Sequence, residues 1–212
     1  MRVIKYREDL LMEVADEVVC VLKMGGVAII PTDTCYGLAA DATSQEAVTR
    51  VFNVKRRPWD KPISIFLDSA EAVRRLFVID EVAERALRLL PGHVTLILRL
   101  KGSVRLPRGV MREEGCVGVR ISPHPLPRAI VRSLGKPITA TSANRSGEPP
   151  VYEAAEAARQ LPEADLVVDA GVLPRVPPST VIDLTTRPPR ILRVGPVPPS
   201  LIERVLGVKI VT

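Results

Sequence analysis

Aromatic side chains are scarce in this 212-residue chain: three Phe, three Tyr and one Trp, 3 % of the total. Hydrophobic residues reach 46 %, so aliphatic side chains must fill the core. The shortage also removes the stacking platform that single-strand nucleic-acid binders use. Histidine is limited to His93 and His124, too few for a His-rich metal site or a choice of triads. Cys20, Cys35 and Cys116 are odd in number and far apart. With no C-x-x-C and no H-E-x-x-H, neither a disulfide framework nor a zinc site is indicated, and no protein metal site is expected. No apolar run approaches membrane-spanning length. The amino terminus, with Arg2, Lys5, Arg7, Glu8 and Asp9, has no signal-peptide core. The expectation is a soluble, cytoplasmic protein with reduced thiols and no membrane contact. Asn53, Asn144, Gln45 and Gln160 are the only side-chain amides, against 20 Pro and abundant Arg, a balance that resembles thermophile composition. Walker A and G-x-G-x-x-G patterns are also missing, so any nucleotide is held by another architecture.

What is present is a basic balance of +6. It suits an anionic partner such as a nucleotide or RNA, and equally many ordinary basic enzymes. Periodicity predicts helices over 9–23, 43–54, 68–77, 80–90, 123–134, 153–161 and 199–206. Thr43-Ser44-Gln45-Glu46 and Asp68-Ser69-Ala70-Glu71 have capping-box spacing. Strands are predicted over 27–30, 63–67, 94–100, 116–122, 137–140, 166–169, 179–184 and 190–194. Elements alternate early, while the late strands lie close together. That order predicts an α/β fold, a twisted open mixed sheet flanked by helices in one domain over 1–212.

Four polar clusters fall at strand ends or in the loops beside them: Thr32 to Thr34, Lys55 to Lys61, Thr141 to Gly147, and Ser179-Thr180. The first follows an apolar strand and is expected at its carboxyl end, where open α/β sheets bind ligands. The second has four cations in seven residues; near a helix carboxyl end such charges are favourable in themselves. The third can offer backbone N–H groups and hydroxyls to a phosphate, or be a plain turn. Arg120 and Arg193 stand inside apolar strands. A buried guanidinium needs a carboxylate, a phosphate or a wet cleft. An internal ion pair satisfies one such residue; two beside a basic loop point to an anion-binding cleft.

These segments carry a resemblance. Pro31-Thr-Asp-Thr-Cys-Tyr-Gly-Leu38, Lys55-Arg-Arg-Pro58 with Lys61-Pro62, Pro91-Gly-His-Val-Thr95, Val119-Arg-Ile-Ser-Pro-His-Pro125, Thr141-Ser-Ala-Asn-Arg-Ser-Gly147 and Ser179-Thr-Val-Ile-Asp183 are similar to motifs of the YrdC/Sua5 family, in the family's order. The resemblance implies a YrdC-like domain of the short form. It implies threonylcarbamoyl-AMP synthesis from L-threonine, bicarbonate and ATP, with release of pyrophosphate. Mg²⁺ would arrive with ATP, and the product would pass to the machinery that makes t6A in tRNA. Residue by residue, it implies that Thr34, Arg120, Ser179 and the backbone at Ala140 hold threonine. Lys55, Arg57 and Lys61 would hold the triphosphate, with Lys55 and Arg57 in the catalytic roles. Ser142, Asn144, Arg193 and the backbone near Cys116 and Pro150 would line the nucleotide side. Phe66 departs from the pattern, since many long members have a His there that helps hold threonine. The loop 171–178 is a candidate lid. An alternative within the same fold is a module that binds tRNA or double-stranded RNA by shape and phosphate contacts. Salt-sensitive RNA binding without ATP turnover distinguishes it.

Overall fold

In the computed structural model, which describes residues 1–112 and 114–212, ten strands join into one mixed sheet. They are β1 (Arg2–Lys5), β2 (Ala28–Ile30), β3 (Gly37–Ala39), β4 (Ser64–Phe66), β5 (Val94–Arg99), β6 (Cys116–Arg120), β7 (Ile138–Ser142), β8 (Leu166–Asp169), β9 (Thr180–Asp183) and β10 (Arg190–Arg193). Their spatial order is β1-β8-β2-β3-β7-β4-β6-β5-β9-β10. β1, β8 and β2 run parallel, as do β4 with β6 and β5 with β9; the other neighbours are antiparallel. Among the described residues seven α-helices surround the sheet: α1 (Leu11–Lys23), α2 (Gln45–Lys55), α3 (Ala70–Leu76), α4 (Glu81–Ala86), α5 (Pro125–Leu134), α6 (Ala154–Gln160) and α7 (Pro199–Leu206). None is long and apolar enough to cross a membrane among the described residues.

Both capping segments start helices, but one residue later than the box spacing predicts. The side chains that cap are Ser44, accepting from the Ala47 amide, and Ser69, accepting from that of Ala72. Thr43 instead turns its hydroxyl to Asp41 Oδ1 at 2.6 Å. Two strands lie outside the sequence reading. β1 is an edge strand whose residues are mostly exposed, so it has no apolar run to announce it. β3 pairs with β2 as a hairpin, Ile30 opposite Gly37, where the sequence reading places a polar cluster and no strand.

Strand alternation divides the core in two. Ala28 and Ile30 of β2, with Leu166 and Val168 of β8, pack against α1 and α5. Ile29 and Val167, one residue along, face the opposite cluster, which α2, α3, α4, α6 and α7 cover. Burial on both faces is why these two strands read as unbroken apolar runs. The second cluster continues under β4, β6, β5 and β9 through Ile65, Val119, Leu96 and Ile182. On the other face of those four strands α5 reaches only Phe66 of β4, and the rest of that face becomes a cavity floor.

Candidate active site

A cavity of about 400 Å³ opens on this uncovered face, within the range usual for small-molecule sites. Its floor follows strand alternation: Ser64 and Phe66 of β4, Gly118 and Arg120 of β6, Thr95 and Ile97 of β5, and Val181 of β9 all line it. None of the lining residues lies in a helix. The walls come from the connection after β2 (Thr32, Thr34, Cys35), the loop after α2 (Arg57, Pro62), the end of β7 and its exit (Thr141, Ser142, Asn144), and Ser179 and Arg193. The site is therefore on a sheet face, not only at the carboxyl ends of strands as the sequence reading has it. Antiparallel neighbours put amino and carboxyl strand ends side by side, so no single edge collects the ligand groups.

Four arginines, Arg57, Arg112, Arg120 and Arg193, line the cavity against one acidic residue, Glu148, among the described residues. Burial lowers the pKa of Arg57 against the opposing pull of Asp60. Burial and then the Arg120 charge lower that of Arg193, while Cys35 opposes. Both remain cations at neutral pH because arginine starts so high. The result is a positive hollow in which anions gain strongly.

Arg57, Arg193 and Arg120 are held by backbone or side-chain acceptors. Arg57 donates from Nε to Lys61 O at 2.6 Å and from Nη2 to Pro62 O at 3.1 Å, which shapes its own loop. Arg193 donates from Nε to Ser179 O at 2.9 Å and from Nη2 to Ser179 Oγ at 3.2 Å. Ser179 Oγ also shares a hydrogen bond of 2.8 Å with Thr95 Oγ1. Arg120 donates from Nη2 to Asp33 Oδ2 at 2.7 Å and lies 5.1 Å from the Phe66 ring centroid. Two buried side-chain atoms on the lining, Arg120 Nε and Asn144 Oδ1, have no partner among the described residues.

The cavity brings together Thr34, Arg57, Arg120, Ala140, Ser142, Asn144, Pro150, Ser179 and Arg193. It does not bring in Lys55, Lys61 or Cys116. Lys61 is exposed, and its backbone carbonyl serves Arg57. Cys116 opens β6 on the same strand face as Gly118 but at the end away from Arg120, where its side chain is buried beside Glu114 O and outside the cavity lining. Lys55 stands apart from the lining. It is 1 % exposed, and its ammonium donates to the carbonyls of Ser142 and, at 2.6 Å, Asn144. The side chain thus braces the loop after β7 from beneath.

Burial first, and the nearby Arg57 charge second, pull the Lys55 pKa down to about 7 from 10.5, with Cys35 opposing. The unfolded chain therefore binds this proton more readily between those values. The Lys55 contribution to stability is complete above about 10.5, falls as pH drops, and is gone below about 7. Denaturant midpoints should show stability rising across this window, and Lys55→Met should flatten the rise. Parallel profiles for both proteins would remove Lys55 as its source.

Sequence reasoning missed four contributors. Thr95 and Gly118 look like ordinary strand residues, and Arg112 sits in a loop rich in Gly, Pro and Arg. His93 stands in a quoted motif, but its partner Asp33 is 60 residues away. Among the described residues no group of three or more His, Cys, Asp or Glu could hold a metal ion.

Comparison with known proteins decides the family. The model for Sua5, YciO and YrdC domains, described as telomere recombination, matches residues 20–195. The chain belongs to this family. Curated relatives named threonylcarbamoyl-AMP synthase include one from Pyrococcus abyssi, 36 % identical over 88 % of this chain and 55 % of the relative. Another, from Xanthomonas oryzae pv. oryzae, is 36 % identical over 84 % of this chain and 96 % of the relative. Among solved structures, P. abyssi Sua5 complexed with L-threonine superposes with a TM-score of 0.86 at 33 % identity, covering 99 % of this chain and 62 % of the other. E. coli YciO gives a TM-score of 0.80 at 25 % identity, covering 93 % and 96 %. The chain thus spans less than two thirds of the Sua5 chain and nearly all of YciO. The Sua5/YciO/YrdC match extends from the end of α1 through β10.

Proposed function

We propose that this protein is a threonylcarbamoyl-AMP synthase, with residues 1–212 acting as one YrdC-like domain. The observation that carries the reading is the convergence of nine of the twelve residues implied by the family resemblance on one cationic cavity. In this reading Arg120, with Thr34, Ser179 and the backbone at Ala140, holds L-threonine. Arg57, Arg193, Ser142, Asn144 and the backbone at Pro150 face ATP. Lys55 acts through the 142–144 loop instead of touching phosphate.

The reaction joins three substrates. Threonine's amine and bicarbonate give a carbamate with loss of water. A carbamate oxygen then attacks the α-phosphorus of ATP; the new O–P bond forms as the bond to the β-phosphate oxygen breaks, and pyrophosphate leaves. Such a transfer needs alignment and charge neutralisation more than a protein nucleophile. The arginine-lined hollow supplies that. Mg²⁺ enters as the counterion of ATP, and the cavity asks for no carboxylate cluster to hold it. The product feeds the enzyme that transfers threonylcarbamoyl to tRNA.

Pyrophosphate release measured with each substrate withheld in turn tests the proposal. Turnover is expected only when L-threonine, bicarbonate and ATP are all present. Equal rates with serine, or without bicarbonate, would exclude it. Retention of tRNA with no turnover would instead favour the RNA-binding reading.

A further inference from the structure

Asp33 belongs to the connection after β2 but does not line the cavity, and its side chain is 3 % exposed. Three donors distant in sequence converge on it. Arg120 Nη2 lies at 2.7 Å, Ser122 Oγ at 2.6 Å and His93 Nδ1 at 2.9 Å. A carboxylate only accepts, so the His93 proton must sit on Nδ1 in this contact. The carboxylate is thus well satisfied where it is and has little reason to move.

We propose that Asp33 is the positioning residue for the amino-acid subsite, acting through Arg120. This inference rests on the synthase reading above and names the device that sets its threonine contact. An arginine carries much rotamer freedom, and a carboxylate ligand profits from a fork already fixed. Here the guanidinium is pinned at one corner by Asp33 and stacked near Phe66. Asp33 takes Nη2 and leaves Nε buried without a partner among the described residues. Arg120 also lines the cavity, so the guanidinium that Asp33 holds by Nη2 is offered to an amino-acid carboxylate in a fixed orientation. Asp33 therefore does not compete with the ligand but selects which edge of the fork the ligand meets. Ser122 and His93 hold the carboxylate in turn.

The test compares wild type, Asp33→Asn and Ser122→Ala by steady-state pyrophosphate release, with melting curves for each. Asn keeps the shape but weakens the grip on Arg120. The expected result for Asp33→Asn is a rise of about tenfold or more in KM for threonine, the scale typical of residues that orient a ligand-binding group. KM for ATP should stay unchanged. Ser122→Ala should move the same constant in the same direction by less. An unchanged or lower KM for threonine in folded Asp33→Asn overturns the proposal. So does a joint rise of both KM values, which marks a general structural role. Where Asp33→Asn does not fold, Ser122→Ala decides on the same criteria. A wild-type protein that needs no threonine removes the synthase reading, and this inference with it; a threonine-dependent wild type with an unaffected variant overturns this inference alone.

Discussion

Arg120→Lys should raise KM for threonine and lower kcat/KM for it by about thirtyfold or more, while KM for ATP stays near its original value. The figure corresponds to losing one hydrogen bond to a charged group, about 1.5–3 kcal/mol. Charge is conserved, so Asp33 keeps a cation beside it and the fold should persist. What disappears is geometry. Lysine offers a compact point charge on a flexible stem, where arginine offers a planar fork. The planar group can hold Asp33 with Nη2, lie over the Phe66 ring and still line the cavity in a fixed orientation. An ammonium satisfied by Asp33 has no fixed second edge. The Phe66 contact also weakens, since the flat face that lay toward the ring is gone. Melting curves beside the kinetics separate the site effect from unfolding. An unchanged threonine constant in a stable variant would take Arg120 out of the amino-acid subsite.

That prediction concerns a residue legible in the sequence, and the reason is instructive. Arg120 stands out because a cation between Val119 and Ile121 conflicts with its strand. Conflicts of this kind tend to mark functional sites. β2 and β8 were equally readable, since two-sided burial writes a plain apolar run. The partners of Asp33 were not readable, because they lie 60, 87 and 89 residues away. Only the folded sheet brings them together. Lys55 shows what a charge pattern leaves out. A lysine in a basic cluster looks like a phosphate ligand, yet its aliphatic stem runs under the 142–144 loop and its amine ends on carbonyls. Composition records the charge, and burial decides its use. The floor was hidden for a third reason. A strand with one face on the core and one on a cavity alternates just as it would with one face on water.

The floor also supports the second large expected effect. Gly118→Ala should abolish most turnover, and Ser64→Ala should restore part of it. Gly118 lies opposite Ile97 in the register, with β4 on its other side. A Cβ built there meets Ser64 Oγ at 2.4 Å, with Ser64 Cβ and Thr95 Cγ2 both at 3.2 Å. The first contact is too short to survive. Either Ser64 turns its hydroxyl further into the cavity or the strands part. Overpacking of this kind costs about 1–3 kcal/mol, and either response displaces groups at the floor. Alanine suits a strand no worse than glycine does, so backbone preference does not explain a loss. The test is a double-mutant cycle on kcat/KM and on denaturant midpoints. Ser64→Ala removes the Oγ at 2.4 Å and leaves only contacts of 3.2 Å, which small shifts can absorb. The pair should therefore be less impaired than Gly118→Ala alone. Strict additivity would mean that the two side chains never compete for the same space, and that Gly118 matters for some reason other than the open floor between β4 and β5.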